Sequence, residues 1–258
     1  MKVVRFILII LMWVLIVGFL TNHIMRTISY SFYKGKRKMD KISITPQKLN
    51  YGENLTGYGY NLANNSSSII LCFGGSNYIA YNTVGTFASH YDVPFLAIDY
   101  YGTQDSKGKM NLRTMQESAE ILYDWAKEQY SDRNIIIIGH SYGCGMAAYL
   151  ASVRPCSHLF LLSGFRDSAE LYNQILPFFW GPFKIFISDN INVSEYAKKT
   201  TCPVTVIGSD ADKTLKSDIQ IKLADCYEIS DLEIFPDIEH EFYLTDERVI
   251  SLIQKKLN

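Results

Sequence analysis

The sequence predicts an α/β domain, in which a mostly parallel sheet is covered by helices on both faces, behind an apolar N-terminal segment. From Ile69 onward, short apolar runs alternate with helical patterns, and most runs lead into Gly, Asp or Ser, as buried parallel strands do. This alternation implies right-handed crossovers between parallel strands. The length of 258 residues suits one large domain, or at most two small ones.

Five apolar runs are predicted to be strands, and two segments are predicted to be helices. The strands are Ile69–Phe73, Phe95–Asp99, Ile135–Gly139, Leu159–Ser163 and Val204–Gly208. One helix should open at Thr114, which begins a capping-box pattern followed by apolar residues at helical spacing. The other should run from about Tyr142 to Val153. Ligands in open α/β sheets bind beyond the carboxyl ends of the strands, so we expect functional side chains there.

The composition excludes several classes of protein. Lys and Arg number 25 against 26 Asp and Glu, so the net charge of −1 argues against a bulk nucleic-acid binder. Hydrophobic residues make up 48% and charged residues 20%, which is too apolar for a disordered chain. The five cysteines include no C-x-x-C pair, so their spacing indicates neither a disulfide framework nor a structural zinc site. We expect no metal and no cofactor.

Residues 1–22 are predicted to form an uncleaved, single-pass membrane anchor. The run from Phe6 to Leu20 has no polar side chain, and a span from Val3 with Arg5 snorkelling would cover about 27 Å of the roughly 30 Å hydrocarbon core. A cleaved signal peptide is the alternative, although no small-residue cleavage pair follows the run. A buried core helix is the third possibility.

Residues 23–50 are predicted to form a basic linker. Its basic residues outnumber Lys2 and Arg5, so the positive-inside rule places the globular body that follows in the cytoplasm. A short N-terminal tail favours the opposite orientation, because such tails often stay inside. The side of the membrane therefore stays open.

A candidate nucleophile, Ser141, lies in the pentapeptide Gly139-His140-Ser141-Tyr142-Gly143 between a predicted strand and a predicted helix. A sharp strand-to-helix turn would raise the Ser141 hydroxyl above the sheet, and the two glycines leave room for the tight backbone. A bare G-x-S-x-G pattern is a weak signal. Its position between a strand and a helix of small residues strengthens it considerably.

A serine nucleophile needs a base that is held by an acid. Among the five histidines, His240 follows the last strand-like segment and precedes the C-terminal helix, whereas His140 should point away from Ser141. The acid should follow an intervening strand, where both Asp210 and Asp212 occur, and we favour Asp212. The order Ser, Asp, His is that of a catalytic triad on this kind of sheet.

Backbone amides that could bind an oxyanion are predicted at two places. The Tyr142 amide opens the helix after the nucleophile, and Gly74-Gly75-Ser76 follows the first predicted strand. Glycines there let amides approach a substrate oxygen closely. We favour the Ser76 amide as the second donor, with Gly75 next.

Together these residues resemble the α/β-hydrolase family, over roughly residues 51–258. Asp99-Tyr100-Tyr101-Gly102 looks like the family's loop after the second strand, and Thr201-Cys202-Pro203-Val204 looks like its lead into the acid strand. The N-terminally anchored branch, with its lipid, acyl-thioester and acyl-protein hydrolases, is the most similar. One departure is Cys72-Phe73-Gly74, where the family often has His-Gly. The resemblance implies a catalytic domain at 51–258, with a short lid at 164–202.

The resemblance also implies a serine hydrolase, of the carboxylesterase, lipase or thioesterase kind, acting through an acyl-enzyme intermediate. The lid carries aromatic residues between Leu171 and Ile187, which favours an apolar or lipid-like acyl substrate if they cover the site; they could equally just pack on the sheet. Alternatives are a catalytically idle, membrane-tethered binding protein and an acyltransferase or peptidase with the same triad. The oligomeric state is left open.

Overall fold

A central sheet organises the chain in the computed structural model, which describes residues 2–31, 33, 42 and 44–257. Within these residues the sheet has eight strands in the order β1-β2-β4-β3-β5-β6-β7-β8. They are β1 (Gln47–Tyr51), β2 (Leu55–Tyr60), β3 (Ser68–Phe73), β4 (Phe95–Ile98), β5 (Asn134–His140), β6 (His158–Leu162), β7 (Val204–Ser209) and β8 (Ser230–Phe235). Strands β3 to β8 pair in parallel, and β2 pairs antiparallel with both β1 and β4.

Strands β3 to β7 match the five predicted runs to within one residue, whereas β8, which also pairs in parallel, was not among those runs. Ile70 of β3 lies opposite Ile136 of β5, and Ile138 of β5 lies opposite Phe160 of β6. These strands read as continuous apolar runs because helices cover both faces of the sheet. The predicted α/β architecture is confirmed.

The antiparallel pair β1 and β2 was not predicted. Glycines at 57 and 59 make β2 read as a loop, although here they allow close packing. A side chain at Gly59 would lie 2.7 Å from the Leu62 side chain and 2.9 Å from that of Leu96. Close packing of this kind is one reason for glycine inside a strand.

The helices lie on both faces of the sheet, apart from the first. They are α1 (Lys2–Ser31), α2 (Ala80–Phe87), α3 (Leu112–Gln129), α4 (Gly143–Val153), α5 (Ser168–Asn173), α6 (Val193–Ala197), α7 (Ser217–Ala224) and α8 (Glu247–Gln254). The start of α3 differs from the prediction: Asn111 is its N-cap, and Thr114 is the third helical residue of the capping box. Asn111 accepts a hydrogen bond from the Thr114 amide, which completes the cap.

The N-terminal helix α1 is long and apolar enough to cross a membrane, and its most apolar part is almost wholly exposed. Its exposure argues against the core-helix alternative. The helix continues through residues 23–31, the first part of the predicted linker, and this part packs on the rest of the protein. The basic residues Lys34, Lys36, Arg37 and Lys38 lie outside the described residues.

The segment 164–202, which we call the lid, connects β6 to β7. It holds α5, a 3-10 helix at Gly181–Phe186 and α6. A small apolar cluster joins the lid to α1: Met25 of α1 is buried against Tyr172, Phe179 and Phe186 of the lid. The aromatic side chains predicted to cover the site therefore pack in part against α1.

Candidate active site

Ser141 lies on the turn between β5 and α4, at the carboxyl edge of the parallel strands. Its backbone has φ of 52°, in the left-handed region that non-glycine residues rarely adopt. The Ser141 amide donates to the Leu162 carbonyl at 2.9 Å, and the Cys144 amide donates to the Ser141 carbonyl at 3.0 Å. Backbone strain of this kind is worth about 1–3 kcal/mol and persists where the surrounding structure holds it.

The two glycines of the pentapeptide allow close packing around this turn. A side chain at Gly139 would lie 2.7 Å from the Cα of Cys144, so glycine lets α4 approach β5. A side chain at Gly143 would collide with the carbonyl oxygen of Phe73, so glycine lets the loop after β3 approach the turn. Close packing thus explains why glycine stands at both position 139 and position 143.

The structure brings Ser141, His240 and Asp212 together in one hydrogen-bonded chain. Nε2 of His240 lies 2.9 Å from Oγ of Ser141, and Nδ1 of His240 lies 2.8 Å from Oδ2 of Asp212. His240 follows β8, and Asp212 follows β7. Asp210 is exposed at the end of β7, whereas the Asp212 side chain is fully buried.

Two further side chains, which sequence reasoning missed, contact Asp212. The Ser163 hydroxyl donates to Oδ2 of Asp212 at 2.5 Å, and the Tyr243 hydroxyl donates to the same oxygen at 3.2 Å. Oδ1 of Asp212 accepts from the amides of Thr214 and Leu215 at 2.8 and 3.0 Å. Ser163 directly follows β6, so its place at the strand ends was a usable signal.

These contacts keep Asp212 ionised. Burial alone would raise its pKa, but hydrogen bonds from His240, Ser163 and the Leu215 amide outweigh that effect and lower the pKa to about 2. The carboxylate therefore stays negative at every pH at which a hydrolase would ordinarily work.

His140 does not point away from the site, contrary to the expectation from the sequence. Its Nε2 lies 2.9 Å from the backbone carbonyl oxygen of His240, and its ring centroid is 5.3 Å from the His240 ring. Because a carbonyl only accepts, Nε2 of His140 carries the proton in this contact. Burial, together with the nearby charge of His240, lowers the pKa of His140 to about 4, so this ring is neutral above that pH.

The predicted oxyanion donors lie close to Ser141. A side chain at Gly75 would come within 2.8 Å of Cβ of Ser141, so the loop after β3 runs directly beside the candidate nucleophile. Ser76 and Tyr142 line the same pocket as Ser141 and His240. Within the part of the chain that the structure describes, neither the Ser76 nor the Tyr142 amide donates to a protein acceptor.

Comparisons with known proteins agree with this fold. The family model for the alpha/beta hydrolase fold matches residues 69–195. The lysophosphatidylserine lipase ABHD12 of Danio rerio is 27% identical over 147 residues, which are 50% of this chain and 38% of that protein. Its counterpart from Macaca fascicularis is 30% identical over 145 residues, 50% of this chain and 36% of that protein. The match thus spans little more than a third of these relatives.

Solved structures extend the likeness over most of the chain. The Pyrococcus furiosus esterase Pf2001 has a TM-score of 0.64 at 16% identity, with 87% of this chain and 96% of that chain covered. Est1E from Butyrivibrio proteoclasticus has a TM-score of 0.64 at 17% identity, with 83% and 99% covered. The chain therefore has the α/β-hydrolase fold, and residues 69–195 match the family model. The predicted fold and the predicted resemblance are confirmed, and the chain carries an apolar N-terminal helix.

The pocket above Ser141 has a volume of about 210 Å³. The lid contributes Leu171, Tyr172, Gln174 and Ile175 to its wall, and α1 contributes Ser29. The lid aromatics from Phe178 onward do not line it, which corrects the expectation that they cover the site. Small-molecule pockets commonly measure about 300–1,000 Å³, so this one can enclose only the reacting end of a long substrate.

A larger, polar hollow of about 460 Å³ lies on another side of the lid. Arg166, Glu170 and Lys184 are among the residues that line it. It contains neither Ser141 nor His240, so it is separate from the candidate active site. Among the described residues, no group of three or more His, Cys, Asp or Glu side chains could hold a metal ion.

Proposed function

We propose that this chain is a serine hydrolase that cleaves carboxylic ester or thioester bonds of apolar, lipid-like acyl substrates. The observation that carries the proposal is the chain of contacts from Ser141 through His240 to Asp212, with distances of 2.9 and 2.8 Å. Such a chain is what a serine nucleophile requires, because a free hydroxyl is too weakly nucleophilic by itself.

In the first step, Oγ of Ser141 attacks the substrate carbonyl carbon while Nε2 of His240 takes the hydroxyl proton. Asp212 holds the imidazole through Nδ1 and stabilises the positive charge that develops on it. The tetrahedral intermediate then collapses, the leaving alcohol or thiol takes the proton from His240, and the acyl group stays on Ser141. A water molecule, deprotonated by His240, attacks this ester in the second step and releases the acid.

The oxyanion of each intermediate is bound by backbone amides. Tyr142 supplies one N–H and Ser76 the other, with Gly75 as the next candidate for the second position. Preorganised donors of this kind act where charge develops and need no rearrangement during the reaction. The loss of one such donor usually lowers kcat by about 100- to 1,000-fold.

The substrate class is inferred from the surroundings of the site. The pocket wall includes the apolar side chains of Leu171 and Ile175, which suit an acyl chain better than a charged group. The matched relatives are named as lysophosphatidylserine lipases, which supports an acyl lipid. The apolar helix α1 supports a location at a membrane, where such substrates are found.

The test is covalent labelling of the full chain with a fluorophosphonate, which reacts with activated serines. We expect wild type to be labelled, Ser141→Ala to take no label, and His240→Ala to be labelled at least 100-fold more slowly. Ser251→Ala and His90→Ala are matched controls, because both side chains are exposed and neither lines the pocket that contains Ser141 and His240.

Labelling that survives Ser141→Ala would disprove the assignment of the nucleophile. A folded wild-type protein that takes no label would favour the idle binding protein over an enzyme. If labelling succeeds, p-nitrophenyl esters of increasing acyl length test the substrate class, and we expect kcat/KM to rise with chain length. Added alcohol or amine acceptors then distinguish an acyltransferase from a hydrolase by their products.

A further inference from the structure

The tip of the lid, Trp180–Ile187, exposes large apolar side chains. We call this segment the lid apex. Trp180 is 60% exposed, Phe183 36% and Ile185 83%. None of these three side chains lines the pocket above Ser141. Single exposed apolar residues are ordinary, but three within six residues, beside an exposed apolar helix, indicate an interaction surface.

The lid apex lies directly against the apolar part of α1. The Phe186 ring fills the space left by the missing side chain of Gly18, where a Cβ would come within 2.5 Å of the ring. It also meets the Phe19 ring edge-to-face, with the centroids 5.5 Å apart. Phe183 stacks on Phe186 at 6.3 Å. Only the Phe186 ring therefore separates the exposed Phe183 from α1.

From Asn22 onward, polar contacts join α1 to the lid beside the buried side chain of Met25. Nδ2 of Asn22 donates to Oγ of Ser188 at 3.1 Å. Nε of Arg26 forms an ion pair with Oδ2 of Asp189 at 2.9 Å, and the Tyr30 hydroxyl donates to the same oxygen at 2.7 Å. These three contacts fix the position of the lid along the axis of α1.

The first of these polar contacts, at Asn22, coincides with the expected surface of a bilayer. A hydrocarbon core of about 30 Å takes roughly 20 helical residues, so a span that begins at Val3 ends near Asn22. Gly18 lies four residues nearer the centre, which is a depth of about 6 Å for an upright helix. Segments that lie in a membrane interface typically reach about 5–10 Å below its surface.

We propose that the lid apex inserts into the lipid surface beside α1, and that the acyl substrate enters the pocket from the membrane between these two elements. This inference rests on the proposed function, because it takes α1 to lie in a membrane and the substrate to be an acyl lipid. Ser29 of α1 and Ile175 of the lid both line the pocket, so the elements that meet the lipid also bound the site. The rest of a long acyl chain, which a pocket of about 210 Å³ cannot enclose, would remain in the bilayer.

The depth of the apex can be measured with a fluorescent label. Ile185→Cys carries a nitrobenzoxadiazole group, in the Ser141→Ala background, which makes the measurement independent of catalysis. The partly exposed Cys156 and Cys226 are replaced by serine. Ile229→Cys is the matched control, because Ile229 is 58% exposed at the amino edge of the sheet, the edge opposite to the one that carries Ser141. The full chain is reconstituted in phosphatidylcholine vesicles.

We expect a nitroxide on the upper acyl chain of the lipid to quench the label at 185 at least three times more strongly than the label at 229. Iodide in the water should quench the two in the opposite order. Equal iodide quenching at both positions would overturn the inference. Protection of position 185 from both quenchers would also overturn it, because a second copy or another protein would then cover the apex.

An activity measurement separates this inference from the proposed function. Ile185→Asp should lower the turnover of a vesicle-borne acyl ester about tenfold or more and leave hydrolysis of water-soluble p-nitrophenyl acetate unchanged. Ile229→Asp should change neither. A lipid-quenched label with no esterase activity in wild type would reject the proposed function alone. An active enzyme whose label is quenched only by iodide would reject the membrane contact alone.

Discussion

Replacing Asp212 with Asn tests the acid of the proposed triad, with Asp210→Asn as the matched control. The three donors His240, Ser163 and Tyr243 converge on Oδ2 of Asp212, while two backbone amides occupy Oδ1. The asparagine side chain has one acceptor oxygen and one NH2 group, which only donates. In either orientation the NH2 group therefore faces other hydrogen-bond donors.

The expected loss follows from this geometry. A hydrogen bond to a charged group is worth about 1.5–3 kcal/mol, and the charge that stabilises the His240 imidazolium disappears as well. Together these effects amount to about 3–5 kcal/mol in the transition state, or roughly a 100- to 5,000-fold loss in kcat/KM. Asp210 is exposed, so Asp210→Asn should stay within about twofold of wild type.

The assay is kcat/KM for a p-nitrophenyl ester, corrected for the folded fraction from an unfolding curve of each variant. Two results would refute the reasoning. One is an Asp212→Asn variant that keeps more than about a tenth of the wild-type value. The other is an Asp210→Asn variant that loses as much as Asp212→Asn, since an exposed carboxylate could then not be a bystander.

Three further predictions follow from contacts in and near the site. Ser163→Ala removes a donor to Asp212 and should lower kcat/KM at pH 7.5 by roughly 10- to 150-fold, because the bond is worth about 1.5–3 kcal/mol; an unchanged kcat/KM would show that this bond does not contribute to catalysis. Gly143→Ala drives a methyl group into the Phe73 carbonyl and should lower the free energy of unfolding by at least about 1–3 kcal/mol, read from denaturant curves, with an unaltered midpoint as the contrary result. Burial raises the pKa of Asp99 from 3.8 to about 7, so the unfolded chain releases this proton at lower pH than the folded one, and stability falls as the pH rises from about 4 to 7. The free energy of unfolding of Asp99→Asn, relative to that of wild type, should therefore be higher at pH 8 than at pH 4, by up to about 4 kcal/mol. An equal difference between variant and wild type at both pH values would contradict the raised pKa of Asp99.

Much of the sheet could be predicted because its signals are local. Strands β3 to β7 are almost fully buried, mostly apolar runs. The pentapeptide around Ser141 combines a strand end, two glycines and a small-residue helix within a few residues. The first antiparallel pair escaped prediction because the glycines of β2 imitate a loop, and their purpose is visible only in contact with Leu62 and Leu96.

The residues around His240 were only partly predictable. Candidate positions after each strand followed from the topology of parallel sheets, which is why Asp210 and Asp212 could both be named. Asp210 is exposed and Asp212 is buried, and this difference depends on how the loop after β7 folds against β6. Ser163 lies 49 residues from Asp212 along the chain, so no local pattern could pair them.

The sequence by itself determined the strand–helix alternation, the motif around Ser141 and the apolar N-terminal helix, since each depends on residues close together in the chain. Only the tertiary structure decided which aspartate lies beside His240, that His140 contacts the His240 backbone, and that α1 packs against the lid and reaches the pocket with Ser29. The contact of Arg26 with Asp189 joins segments more than 160 residues apart. Such contacts depend on burial and complementary shape across the whole fold, which local periodicity does not encode.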